Sequence, residues 1–155
     1  RFLFEEDYCR LHISGDLGEL TATNYNNMTF EGFGDFVNNA GYFEGKIDCM
    51  NRPVYIYDED QARKDILQRI EEADLTDDFM EDRFDFETID DVIDDIMENF
   101  DTDRGIGESG YDILSKHFCD VWEFIGDIGK RNTGILELYM LAFKLATDQL
   151  KLSGK

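Results

Sequence analysis

Apolar and polar positions change their spacing near residue 58, and that change organises the chain. Tyr8-Cys9-Arg10-Leu11-His12-Ile13 alternates with period two, Ser14–Gly18 supplies turn residues, and Glu19–Thr23 alternates again, the pattern of a β-hairpin. Phe30, Phe33, Phe36 and Val37 follow at helical spacing, weakened by Gly32 and Gly34, and Gly41–Lys46 breaks that pattern. Ile47–Met50 and Pro53–Tyr57 read as two further strands, with the single proline at a strand start where no ladder donor is needed.

Beyond Asp58 the period becomes 3.6. Asp58 and Gln61 form a cap signal, and Ala62, Ile66, Leu67 and Ile70 make the apolar stripe of a helix over 60–73. Leu75–Phe84 reads as a short irregular helix. Ile89, Val92, Ile93, Ile96, Met97 and Phe100 predict a helix over 86–100, started by Thr88 and Asp91. After a loop at Asp101–Gly107, a helix opening at Ser109 and Asp112 buries Ile113, Leu114, Phe118, Val121, Trp122, Ile125 and Ile128. A turn at Gly129–Gly134 leads to a final helix over 134–152 with a broad apolar arc through Ile135, Leu138, Tyr139, Leu141, Ala142, Leu145 and Ala146. Such an arc belongs to a core helix or to one that meets a partner, including a second copy of the chain.

These elements predict a helix-rich α+β fold: an N-terminal antiparallel β hairpin or meander packed on a C-terminal helical bundle. With no repeat and no low-complexity linker, residues 1–155 read as a single domain, β-rich over 1–58 and helical over 59–155. An apolar content of 42% with thirteen Phe is that of an ordered chain. No run approaches the roughly 20 apolar residues of a membrane span, and the N-terminal residues lack a signal-peptide pattern. Cys9, Cys49 and Cys119 are odd in number and widely spaced, poor material for a disulfide framework and suited to a reducing compartment. The expectation is a soluble, cytoplasmic protein, so the acceptor triplet Asn27-Met28-Thr29 is read as chance.

Charge changes the picture most. The chain sums to -21, yet residues 1–70 hold only -6 (seven basic, thirteen acidic) and residues 105–155 only -1 (six basic, seven acidic). The remaining -14 lies in residues 71–104, where sixteen Asp and Glu between Glu71 and Asp103 face one Arg, Arg83. Negative charge of this density repels nucleic acid and anionic membranes, which are bound through Lys and Arg. A basic protein, a cation or plain solvent is what such a surface attracts.

On the 86–100 helix the side opposite the apolar stripe holds Asp90, Asp91, Asp94, Asp95 and Glu98, with Asp101 and Asp103 just beyond. Pairs four apart stack like charges about 6 Å apart along the axis, and each pair costs roughly 0.2–0.5 kcal/mol. Asp is also a poorer helix former than Glu, so solubility alone calls for neither the crowding nor the residue type. Asp74, Asp77, Asp78, Glu81, Asp82 and Asp85 extend the acidic surface upstream, and Phe79, Phe84 and Phe86 are candidate apolar anchors within it.

Short carboxylates at this spacing imitate a row of backbone phosphates. The expected function is therefore an inhibitor that occupies the basic groove of a nucleic-acid-binding protein, of the anti-restriction or anti-CRISPR type carried by phages and mobile elements. An immunity or antitoxin-like protein that neutralises one basic toxin is the narrower alternative. A scaffolding subunit docking through its final helix, with a merely solvated acidic face, is the third. Confinement of the acid to one segment argues against general salt adaptation.

Catalytic and metal signatures are weak. Asp101–Asp112 has acidic residues at loop positions one, three and twelve of a calcium hand, but Ile106 stands where glycine makes the sharp turn and Asp112 replaces the longer Glu. Cys9 and His12 sit on opposite faces of a strand, and His117 and Cys119 diverge on a helix. There is no G-x-S-x-G, phosphate loop or dinucleotide fingerprint. No enzyme, cofactor or specific metal site is expected.

Overall fold

The computed structural model describes residues 1–25, 28–35, 39–76 and 88–153. It has an α+β fold: a four-stranded antiparallel sheet comes from the first fifty residues, and helices dominate the rest of the chain. The chain divides into two compact units, Arg1–Val54 with Thr133–Lys155, and Tyr55–Asn132.

In the first unit β1 (Phe2–Glu5), β2 (Arg10–Ile13), β3 (Leu20–Thr23) and β4 (Ile47–Met50) lie in that order, each antiparallel to the next. The expected hairpin is β2–β3, with Arg10 opposite Thr23 and Ile13 opposite Leu20. Strand β1 is an addition the sequence pattern did not announce. A 3₁₀ turn at Glu6–Tyr8 and the left-handed Cys9 (φ 52°) fold it back onto β2, so Cys9 ends a turn instead of lying in a strand. Alternation then does its work: Leu11, Ile13, Leu20 and Ala22 are buried on one face.

That face is covered by α1 (Phe30–Asp35), α2 (Ala40–Glu44) and the last helix of the chain, Ile135–Leu152. Helix α2 forms where the glycines predicted a break, because Asn39 caps it through Tyr42 N–H at 2.9 Å and Phe43 buries completely. Phe33 lies among the rings of Phe2, Phe4, Phe43 and Phe143, with centroids 4.9–6.2 Å away. Phe36 and Val37, expected on α1, lie outside the described residues.

The last helix buries Leu136, Tyr139, Met140 and Phe143. Its core stripe is thus shifted from the expected one: Leu138, Leu141 and Leu145 face solvent. A helix apolar on most of its circumference does not say which side goes inward. The Tyr139 hydroxyl donates to Leu17 C=O at 3.0 Å, and burial holds the phenol above its ordinary value of 10.0, opposed by a smaller pull from Arg52. A raised folded-state pKa means stability that is whole below pH ~10 and lost as pH rises through the folded value. Tyr139→Phe should therefore give up about 1 kcal/mol at neutral pH for the lost hydrogen bond, yet lose less than wild type between pH ~9 and ~11. Thermal melts across that range check it, and equal alkaline losses in both proteins would refute it.

In the second unit β5 (Tyr55–Tyr57) does not extend the meander. It pairs with β6 (Lys130–Asn132), Ile56 opposite Arg131, in a separate two-stranded sheet. Strand β6 stands where the sequence predicts a turn: Lys130, Arg131 and Asn132 are all polar, and none of them is buried. Between these strands run α3 (Glu59–Glu72), α4 (Ile89–Ile96), α5 (Glu108–Leu114) and α6 (Val121–Phe124), among the described residues. Asp58 caps α3 through Gln61 N–H at 2.8 Å, and Ala62, Ile66 and Ile70 point into the core with Val92, Ile93, Ile96, Ile113, Leu114, Val121 and Ile128. The helix expected from 109 to 128 is two short ones, interrupted over residues 115–120, and the interruption resets the helical phase. Val121 stays buried while Trp122, expected inside, is 67% exposed. The irregular helix expected at Leu75–Phe84 falls mostly outside the described residues.

Candidate functional site

The acidic charge follows the division of the chain. Tyr55–Asn132 holds twenty-five Asp and Glu against eight Lys and Arg, -17 of the total -21, and the unit with the four-stranded sheet holds the remaining -4.

Helix α4 is shorter than expected, two turns instead of four, and its start explains where one carboxylate goes. Thr88 N–H and Oγ1–H both donate to Asp91 Oδ2 at 2.9 Å, and Asp91 N–H returns to Thr88 Oγ1 at 3.3 Å. This is a complete capping box, and the negative Asp91 also sits at the positive end of the helix dipole. Asp91 is therefore a structural anchor of the helix and only partly exposed. Thr88→Ala should cost about 1 kcal/mol, read as a lower urea midpoint at unchanged slope; an unchanged midpoint would contradict the cap.

With Asp91 withdrawn, the outward acids are Asp90 and Asp94 on α4, four residues and about 6 Å apart along the axis, and Glu98 in the turn that follows the helix, all three exposed. Their opposite side, Val92, Ile93 and Ile96, is buried, so the helix is amphipathic in the sense the spacing predicted. Asp95 is half-buried at the edge of the row. Asp94 is met by the Arg63 guanidinium, which also reaches Glu59 Oε1 at 3.3 Å. The Asp94 hydrogen bond raises the Arg63 pKa against the opposing effect of burial. One carboxylate of the row is thus partly neutralised by a residue on α3, which the sequence pattern did not link to it.

The flanking acids have separate fates. Asp101 turns its carboxylate onto its own loop, accepting Asp103 N–H at 2.8 Å and Arg104 N–H at 3.0 Å, while Asp103 itself is exposed. The stretch that resembled a calcium hand is closed by this local turn and by the Asp101–Gly105 bridge. Asp74 is exposed just past α3 in a left-handed conformation (φ 55°). Asp77, Asp78, Glu81, Asp82 and Asp85, together with Phe79, Phe84 and Phe86, lie outside the described residues. On α3 itself Glu59, Asp60, Glu71 and Glu72 are exposed and add to the same unit.

Trp122 is the residue that sequence reasoning misplaced. It stands in solvent between exposed Asp120 and Glu123, on a four-residue helix whose neighbouring Phe124 packs edge-on against Phe118 and under the Arg69 guanidinium. A large aromatic flanked by carboxylates is a surface on which a cation can stack.

In the first unit His12 joins two neighbouring strands, Nε2 to Glu5 Oε2 at 3.0 Å and Nδ1 to Thr21 Oγ1 at 3.2 Å. Cys9 Sγ donates to Tyr25 C=O at 3.3 Å, and all three cysteines are free thiols. Among the described residues no group of three or more His, Cys, Asp or Glu is arranged to hold a metal ion. No described helix is long and apolar enough to cross a membrane. Comparison with protein-family models, with curated proteins and with solved structures finds no match to this chain.

Proposed function

We propose that this protein is an acidic inhibitor that imitates nucleic-acid phosphates and occupies the basic groove of a nucleic-acid-binding protein, as anti-restriction and anti-CRISPR proteins of phages and mobile elements do. The observation that carries the reading is the segregation of charge: -17 resides in Tyr55–Asn132, and the exposed carboxylates Asp90 and Asp94 on one helix of that unit are followed by exposed Glu98 in the turn at its end. A solvated surface made only for solubility would spread its acid over both units.

The chemistry is electrostatic. Carboxylates about 6 Å apart offer a basic groove what a strand of phosphates offers it, and a charged surface of one sign speeds encounter with the opposite sign. Trp122 supplies what charge alone lacks, an aromatic anchor that a partner can bury or stack an arginine upon. No catalytic step and no cofactor belong to this reading.

The test is affinity capture of host proteins at about 0.05 M salt with release at about 0.5 M, repeated with duplex DNA or RNA as competitor. Retention of a nucleic-acid-binding protein that nucleic acid displaces is the expected result. A single retained protein indifferent to nucleic acid would replace mimicry with toxin neutralisation, and an empty capture would return the acidic face to solvent.

A further inference from the structure

Strand β1 is one edge of the four-stranded sheet, and its outer side is unpaired. Arg1 and Ser14 exchange both backbone hydrogen bonds, at 2.7 and 3.0 Å. Antiparallel pairing alternates, so Leu3 and Glu5 likewise turn their backbone groups toward β2, while the N–H and C=O of Phe2 and Phe4 point away from the sheet. No hydrogen bond from a described residue reaches these outward groups. The opposite edge is blunted, since β4 shifts register against β3 between Thr21 and Ala22 and carries Asp48. Strand β1 has no such device: Phe2-Leu3-Phe4 runs in unbroken register, with charge only at its last residue.

The surroundings of that edge specify what an added strand would carry. Phe2 and Phe4 point to the helix-covered face, where with Phe30, Phe143, Ala146 and Leu150 they line an open cavity of about 190 Å³. That is below the roughly 300 Å³ of a small-molecule site and suits an apolar side chain. Just past the strand, Glu6 and Asp7 are exposed, and no cation among the described residues meets either carboxylate. We propose that β1 is a docking edge for an extended segment of another protein, added antiparallel, with apolar side chains at alternate positions and basic residues at its N-terminal end. Backbone bonds to Phe2 and Phe4 hold the segment, and the cavity and the two acids select it. A second copy of β1 is the poorer occupant. Its own Phe2 and Phe4 would stand opposite these positions, and both rings already pack on their own Phe33 and Phe143. The edge lies in the unit with the four-stranded sheet, so this reading stands apart from what Tyr55–Asn132 binds.

The test is a titration of the full chain, to about 1 mM, with a blocked hexapeptide of two lysines followed by valine, threonine, valine and threonine. In that order the valines fall opposite Phe4 and Phe2, and the lysines opposite Glu5 and Glu6. Saturable binding is expected, with the Phe2 and Phe4 amides becoming protected from hydrogen exchange. N-methylation of both valines removes the donors that face β1 and should weaken binding at least about tenfold. N-methylation of the threonines, whose N–H groups point away, should leave it unchanged. On the protein, the double change Glu6→Lys with Asp7→Lys should weaken binding about fivefold, since both side chains are exposed and neither is needed for folding. No binding of the hexapeptide, equal binding of the valine-methylated form, or β1 amides protected only by dimerisation of the chain itself would overturn the proposal.

Discussion

Reversing Asp90, Asp94 and Glu98 to lysine is expected to weaken association with a basic nucleic-acid-binding partner by at least about a hundredfold while leaving the protein folded. The substitution moves the acidic unit from -17 to -11 and sets three ammonium groups where the partner's own cations must dock. Like charges brought face to face across an interface cost several kcal/mol, against about 2.7 kcal/mol for a factor of one hundred. The fold should tolerate the change because all three side chains are exposed and the buried side of α4 is untouched. Asp91 must be spared, since its carboxylate holds the capping box with Thr88. Asp94→Lys does forfeit the contact with Arg63, but an exposed pair of this kind is worth about 0–1 kcal/mol. Binding titrations at two salt concentrations, with a thermal melt of the variant, decide the matter. Undiminished affinity in a folded variant would remove the acidic row from the interface.

Replacing Gly110 with alanine is expected to destabilise the second unit by about 3 kcal/mol or more. Gly110 lies on α5 where that helix crosses α4, and a β-carbon built there falls 2.1 Å from the Ile96 carbonyl oxygen and 2.5 Å from Ile106 Cγ2. Neither distance is attainable, and the first neighbour is backbone that cannot rotate away. The helices must separate, which opens the contacts of Ile96 with Ile113 and Leu114 at the centre of this core. Overpacking of a well-filled interior costs about 1–3 kcal/mol and sometimes more, and displaced backbone belongs at the upper end. For a unit of this size that corresponds to a fall of roughly 10 °C or more in melting temperature. Gly126→Ala is the control, since nothing lies within 4 Å of its added carbon. A Gly110→Ala melt as high as the control's would mean that α4 and α5 are not so closely apposed.

Much of the fold was legible because local periodicity reports burial wherever one side of an element is apolar and the other polar. The hairpin of Arg10–Ile13 and Leu20–Thr23, the helix Glu59–Glu72 with its Asp58 cap, and the helix at Ile89–Ile96 all follow from that contrast. Where the contrast fails, so did the reading. Strand Lys130–Asn132 has no buried residue and exists because it pairs with Tyr55–Tyr57, more than seventy residues earlier. Phe2–Glu5 shows no alternation, since Phe2, Leu3 and Phe4 are all apolar, and becomes a strand by docking on Arg10–Ile13. The helix at 135–152 is apolar nearly all round, so its leucines could be assigned to either side.

The acidic row shows the same boundary at the level of single carboxylates. Sequence by itself determined that acid gathers on one segment, that Asp90 and Asp94 share a helix face, and that Thr88 and Asp91 begin the helix, because these are matters of composition and of 3.6-residue spacing; Glu98, expected on the same helix, lies in the turn after it. Tertiary structure alone decided which of those groups a partner can meet. Arg63, thirty-one residues from Asp94, is carried to it by the packing of α3 on α4. Trp122 is turned outward by a break in the helix that precedes it, and the charge of the whole chain is sorted into one of two units by where the chain folds back on itself. Hydrogen bonds and burial depend on distances in space, and spacing along the chain sets those distances only within a single element.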